Sequence, residues 1–244
     1  MLLSWGQPWI NHAYTNLQLI LFAIGCLGWV IAYYFVALMI RRRQFVEIPW
    51  GAVAANIAWE FVWGFIYGSD MGFLFTLGYA LWCIQDLFIV YSLFKYGDKQ
   101  LINRANKNLF KPAAAFAIVA WTFLIYFFVA DQLDTGYGAN SGYILNVMMS
   151  ALYIELILRQ NISDFSEVVA WSKGLGTALL SVFNFMVKPH MPFLLTLCVV
   201  TLLLDATYVV VFYKKRQAAR LAAAGVPAGV PVGVPGAVAA GAPA

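Results

Sequence analysis

Residues 15–43 read TNLQLILFAIGCLGWVIAYYFVALMIRRR, and this stretch decides the fold class. Its apolar run, about 15–40, is long enough to cross the roughly 30 Å hydrocarbon core of a bilayer as a helix. Arg41, Arg42 and Arg43 follow the run instead of preceding it. That order marks a spanning helix whose carboxyl end enters the cytosol. Residues 1–14 hold no Lys or Arg, so the start of the chain does not read as a cleavable leader.

Working outward, comparable apolar runs lie at about 50–67, 72–95, 112–130, 141–158, 166–187 and 191–213. Each can span the membrane, the second of them tightly. The basic residues between the runs alternate sides. Lys95, Lys99, Arg104, Lys107, Lys111, Arg159, Lys214, Lys215, Arg216 and Arg220 fall on the side of Arg41–Arg43. The other side carries Lys188 with Asp70, Asp131 and Asp134. The expectation is an all-α bundle of seven transmembrane helices, amino terminus outside and carboxyl terminus cytosolic. The membrane is the cell membrane in a bacterium, or the endoplasmic reticulum in a eukaryote.

Composition agrees. The chain is 63% hydrophobic and 11% charged, against roughly 25% charged residues in soluble domains. The net charge of +4 sits in the span flanks, so it reads as a topology signal and not as a surface for nucleic acid. Cys26, Cys83 and Cys198 lie in apolar stretches without CxxC spacing and read as small core residues. The seven spans occupy a domain of residues 1–216. Residues 217–244, with Val-Pro recurring at 226–227, 230–231 and 234–235, read as a disordered tail. The connections are short, so function is expected inside the bundle or at its rim.

Ionisable residues inside the spans need a reason, since each costs roughly 2.5–3.5 kcal/mol at a helix centre. Glu155 has a local one, an i,i+4 pair with Arg159. Glu60, Asp86 and Asp205 lie nine or ten residues from the basic edge of their spans, about 13–15 Å deep at 1.5 Å per residue. Lys173 reaches about 12 Å. Such a layer either fixes helix packing or forms a polar site in an apolar chamber. Helical neighbours favour the chamber. Asn56, Trp63 and Tyr67 share the face of Glu60, Tyr79 and Trp82 that of Asp86, and Thr201 and Tyr208 that of Asp205. Lys173, Thr177, Ser181 and Asn184 form a polar stripe.

A carboxyl group withdrawn from water holds its proton more tightly, and two nearby can share one. Aromatic faces stabilise cations, and dry walls keep water from quenching them. Acid, rings and dryness together suit carbocation chemistry on a polyene that enters from the bilayer. No HExxH or His/Cys cluster could hold zinc, and no paired aspartate-rich motif could hold magnesium diphosphate. His12 and His190 fall near the outer surface, and the last span has no lysine for a retinal Schiff base.

Asn56-Ile57-Ala58-Trp59-Glu60, Leu204-Asp205, the Trp82–Asp86 stretch and Leu175-Gly176-Thr177 resemble the small integral-membrane terpene cyclases. That family includes fungal meroterpenoid and indole-diterpene cyclases and bacterial enzymes acting on prenylated indoles. The resemblance covers roughly residues 15–215. It implies metal- and cofactor-independent, proton-initiated (class II) cyclisation of a farnesyl or longer chain on a polar head, opening an epoxide or protonating an olefin. It implies Glu60 and Asp205 as the two catalytic acids. Asn56, Trp63, Tyr67, Tyr79, Trp82, Asp86, Lys173 and Tyr208 then become candidates for binding substrate and stabilising cations. The expected partners are the bilayer, a lipophilic prenylated substrate, an upstream prenyltransferase and, for an epoxide, an epoxidase. The further expectation is that Glu60 and Asp205 share one cavity and one proton. The competing readings are a proton-coupled transporter using the same acids, disfavoured by the lack of repeats, and a structural membrane protein.

Overall fold

The computed structural model describes residues 8–224. Among them the chain forms seven α-helices and no strand: α1 (Asn16–Arg43), α2 (Trp50–Phe61), α3 (Phe73–Tyr96), α4 (Lys107–Ala130), α5 (Ala139–Arg159), α6 (Glu167–Val187) and α7 (Pro192–Ala223). Six are long and apolar enough to cross a membrane. The exception is α2, with 12 residues. A π-helical segment, Val62–Tyr67, continues it and brings the second span to roughly 27 Å at 1.5 Å per residue. The helices therefore follow the apolar runs. Helix α7 continues to Ala223, beyond the domain boundary expected at residue 216. The rest of the Ala/Gly/Pro/Val tail, like residues 1–7, lies outside the described residues.

Local chemistry sets the ends. Thr15 and Gln18 cap α1 reciprocally, each side chain accepting from the other's backbone N–H. Gln44, left-handed at φ 53°, ends that helix. Helix α2 packs against α3, α4 and α5. Its residues Ala52 to Ala58 are all buried, and four of these seven are alanines that let neighbouring backbones approach closely. Helix α1 lies along α6, where a Cβ on Gly28 would stand 2.9 Å from Gly176 Cα. Only glycine fits that seam. Helix α7 packs against α5 and α6. Helix α4 buries only Phe110, Ala114 and Ile125 and leaves most of its surface for lipid.

The basic end of the bundle is tied by its own cations. Arg43 donates to Phe165 O at 3.1 Å, and Lys99 to Gln44 O at 2.8 Å. Lys215 caps the end of α5 through Ile157 O at 2.6 Å and Gln160 O at 2.8 Å. Buried Gln100 serves the loop before α2, donating to Val46 O and Ile48 O and accepting from Trp50 N. Glu155 and Arg159 pair at 2.7 Å. At the opposite end Asp70 accepts from Tyr14, and Asp134 accepts the first free N–H groups of α5 at Asn140 and Ser141.

Candidate active site

Asn56 and Glu60 stand one turn apart on α2, with Asp86 facing them from α3. The Asn56 amide donates to Glu60 Oε1 and to Asp86 Oδ2, each at 2.8 Å. Both of its N–H groups are thereby used. Glu60 and Asp86 are each 1% exposed. Glu60 Oε2 and Asp86 Oδ1 are buried with no hydrogen-bond partner. One amide thus orients two carboxyl groups and leaves each an oxygen free.

Glu60 lies on the wall of a cavity of about 100 Å³. Its other walls are largely aromatic: Phe22, Trp29 and Tyr33 from α1, Trp59 from α2, Tyr79 and Trp82 from α3. Tyr137 and the start of α5 close it on the Asp70 side. Gly138, at φ 80°, caps α5, and a Cβ there would stand 2.7 Å from the Trp63 ring and 2.8 Å from the Trp59 ring. Glycine therefore lets the chain lie against both indoles. The rings are held by their polar edges, Trp59 Nε1 donating to Ser141 Oγ at 2.9 Å and Tyr79 to Tyr137 O at 3.0 Å. Asn146 also lines the cavity, and its Oδ1 has no partner.

Asp205 is placed differently from the expectation. It is not among the lining residues. It forms an ion pair with Lys173 of α6. Ser150 of α5 donates to Asp205 Oδ1 at 2.7 Å and accepts from Lys173 at 2.7 Å. The cause is the ammonium at the same depth: opposite charges in a low-dielectric interior pair with each other. The Lys173 nitrogen also lies 5.5 Å from the Trp29 ring centroid and 5.9 Å from that of Tyr153. The Asp205 cluster therefore stands behind the cavity wall and touches it through Trp29. The cavity expected to hold both Glu60 and Asp205 is lined by Glu60 alone of the two, and the carboxyl that Asn56 joins to Glu60 is that of Asp86.

Of the other candidates, Asn56, Tyr79 and Trp82 line the cavity, whereas Trp63, Tyr67, Asp86, Lys173 and Tyr208 do not. Trp63 backs Trp59 at 6.3 Å between centroids. Tyr67 donates to Tyr126 O at 3.1 Å, away from the acids. Tyr208 packs on Tyr153 at 5.1 Å. Sequence reasoning missed the share of α1 and α5, because it began from the acids and α1 has none. A signal existed: Phe22, Cys26, Trp29 and Tyr33 recur at helical spacing, as do Gly142, Leu145, Asn146 and Met149. Among the described residues no group of three His, Cys, Asp or Glu side chains could hold a metal ion.

Comparison with known proteins follows this geometry. The chain is similar to terpene cyclase macJ of Penicillium terrestre, at 32% identity over 73 residues, which is 30% of this chain and 28% of that protein. The aligned part is thus little more than a quarter of that relative. No solved structure matches. Residues 7–218 match the family model of the Pyr4-like transmembrane terpene cyclases. A match that runs from before α1 into the last turns of α7 involves the whole bundle and not one helix, and the chain belongs to the Pyr4-like transmembrane terpene cyclases.

Proposed function

We propose that this protein cyclises the prenyl chain, farnesyl or longer, of a meroterpenoid-type or prenylated-indole compound by a metal-independent, proton-initiated (class II) reaction. The observation that carries the reading is Glu60 Oε2: buried, unpartnered and set on the wall of a ring-lined cavity. Two carboxyl groups joined by one amide in a dry interior are suited to hold one proton between them. Glu60 delivers that proton to a terminal olefin carbon or epoxide oxygen, and the neighbouring C=C electrons close the ring. Asn56 fixes the direction of delivery. The faces of Trp29, Trp59 and Trp82 stabilise the cation as it moves. A final loss of a proton ends the sequence, so no net proton is consumed.

Asp205 is the second acid implied by the resemblance. Its geometry supports a positioning role: with Lys173 it places a fixed dipole behind Trp29. The substrate is lipophilic and arrives through the bilayer from a prenyltransferase, with an epoxidase between them when the substrate is an epoxide. The basic end of the bundle faces the cytosol in this reading, as the positive-inside rule requires. The test is purified protein in nanodiscs with a farnesylated phenol or indole and its terminal epoxide. Wild-type protein yields cyclic isomers of unchanged mass, and Glu60→Gln yields none. An equally active Glu60→Gln protein would remove the assignment of the acid. Absence of any cyclic product across these substrates would remove the substrate class.

A further inference from the structure

Glu47 has no part in the chemistry above, yet it is a buried acid in the loop between α1 and α2. It is 1% exposed. Its Oε2 accepts from Ser166 N at 2.8 Å, and its Oε1 is buried without a partner. Two more such atoms lie further into the bundle: the Tyr208 hydroxyl and Asp205 Oδ2. Tyr208 and Asp205 are three residues apart on α7 and share a face. Tyr208 packs edge-to-face on Tyr153. Both tyrosines lie within electrostatic reach of Glu47 and of Asp205. Tyr153 also lies within electrostatic reach of Asp86. A buried polar atom without a partner costs about 1–3 kcal/mol, so three of them on Glu47, Tyr208 and Asp205, apart from those of the Glu60–Asp86 unit, call for a function.

We propose that Glu47, Tyr208 and Tyr153 form a proton line between the basic end of the bundle and the mid-membrane acids, which reloads the site between turnovers. The proposal rests on the cyclase reading. The donor loses a proton at initiation, and the terminal cation gives one up elsewhere in the cavity. When those two groups differ, one proton must enter and one must leave. Inward transfer moves protons only. Glu47 gives its carboxyl proton to a bridging water, that water protonates the tyrosine oxygen as the tyrosine O–H passes inward, and a mid-membrane carboxylate takes the last proton. Glu47 then regains one from bulk water. The unpartnered Oε1, hydroxyl and Oδ2 atoms are the places where bridging waters would bind. The groups facing Glu47 are Arg43 from α1, the Ser166 N–H before α6, Tyr153 from α5 and Tyr208 from α7. Burial pushes Glu47 up to about 8, so it both takes and gives protons near neutral pH.

The test compares the first turnover with steady state in nanodiscs. Glu47→Gln should complete its first turnover at the wild-type rate, because the acid is already loaded. It should then slow about tenfold in kcat, a modest share of what positioned proton transfer provides, with kcat/KM unchanged and KM lowered in proportion. Formate should restore kcat in Glu47→Ala. Tyr208→Phe keeps the ring on Tyr153 and should also lower kcat, which keeps the test valid if the Glu47 variants fail to fold. Wild-type kcat in a folded Glu47→Gln or in Tyr208→Phe overturns the line. So does a loss already complete in the first turnover. An active Glu60→Gln protein in the same assay would instead count against the cyclase reading itself, so the two failures are distinguishable.

Discussion

Glu60 and Asp86 are held 2.8 Å from opposite N–H groups of one amide, that of Asn56, although they come from different helices and lie 26 residues apart. Neither carboxyl has another partner. They are therefore one unit, and losses on removing members of a unit do not multiply. Glu60→Gln is expected to lower kcat by at least about a hundredfold, the low end of general-acid effects. Asp86→Asn should lower it less, because Asp86 is not on the cavity wall. The double variant should be no slower than Glu60→Gln within a factor of about two. Single- and double-variant kcat values at matched expression are the measurement. Multiplying losses would mean that the two acids do separate jobs.

Asn56 gives a sharper probe of the same unit. Asn56→Asp replaces the shared donor with a third carboxyl group, and Asn56→Leu removes it without adding charge. Both orphan Glu60 Oε1 and Asp86 Oδ2, a cost of about 1–3 kcal/mol for each atom. Activity should fall in both, and the melting temperature should fall further in Asn56→Asp, where like groups crowd. Equal melting temperatures would show that the carboxyls reorganise around new partners.

Lys173 and Asp205 make a complementary case. Each is nearly fully buried, and each is the other's counter-charge. Removing one member of such a pair typically costs about 3–5 kcal/mol, whereas replacing both with apolar residues of similar size is close to neutral. Lys173→Met or Asp205→Asn should thus destabilise strongly, and Lys173→Met with Asp205→Leu should recover much of the melting temperature. If Asp205 acts on the reaction beyond holding Lys173, the stable double variant will still cyclise poorly. Thermal melting beside kcat separates the two roles, and full activity in the double variant would reduce the pair to packing.

Much of this fold is legible in the sequence. Apolar length and the alternation of Arg and Lys around the runs determine span number, because lipid tolerates little else. The depth of the acids follows from 1.5 Å per residue. Depth, however, does not give rotation. Whether Asp205 or Asp86 meets Glu60 depends on how α7 and α3 turn about their axes, and that is decided by contacts such as Lys173–Asp205 and Asn56–Asp86. A lysine on α6 and an aspartate on α7 at one level were visible, but so were two other acids. The walls from α1 were hidden for another reason. A ring facing a cavity and a ring facing lipid are the same letter, and only the neighbouring helices tell them apart.

Metal dependence is a direct check on the class of reaction. Proton initiation needs no diphosphate departure, so cyclisation should be unchanged after EDTA treatment and gel filtration. Loss of activity with EDTA and its return with magnesium would replace the proton-initiated proposal with an ionisation mechanism.

Glu47 yields a pH prediction with a definite sign. Burial is the main cause that raises it from 4.5 to about 8, partly opposed by the Ser166 N–H and by Arg43. Between these two values the folded chain binds a proton at Glu47 that the unfolded chain releases. Stability therefore falls as pH rises through this window, by at most about 1.4 kcal/mol per unit from this group. The contribution is fully present below about 4.5 and is gone above about 8. Glu47→Gln keeps the neutral shape at every pH, so its melting temperature in detergent should lose this slope and exceed that of the wild type at pH 8. The same substitution is expected to slow steady-state turnover. A variant that is more stable and yet slower would mean that Glu47 is kept ionisable for a purpose other than folding. A wild-type melting curve as flat as the variant's between pH 5 and 8 would show that Glu47 is not held neutral, and the loop would then be an ordinary buried turn.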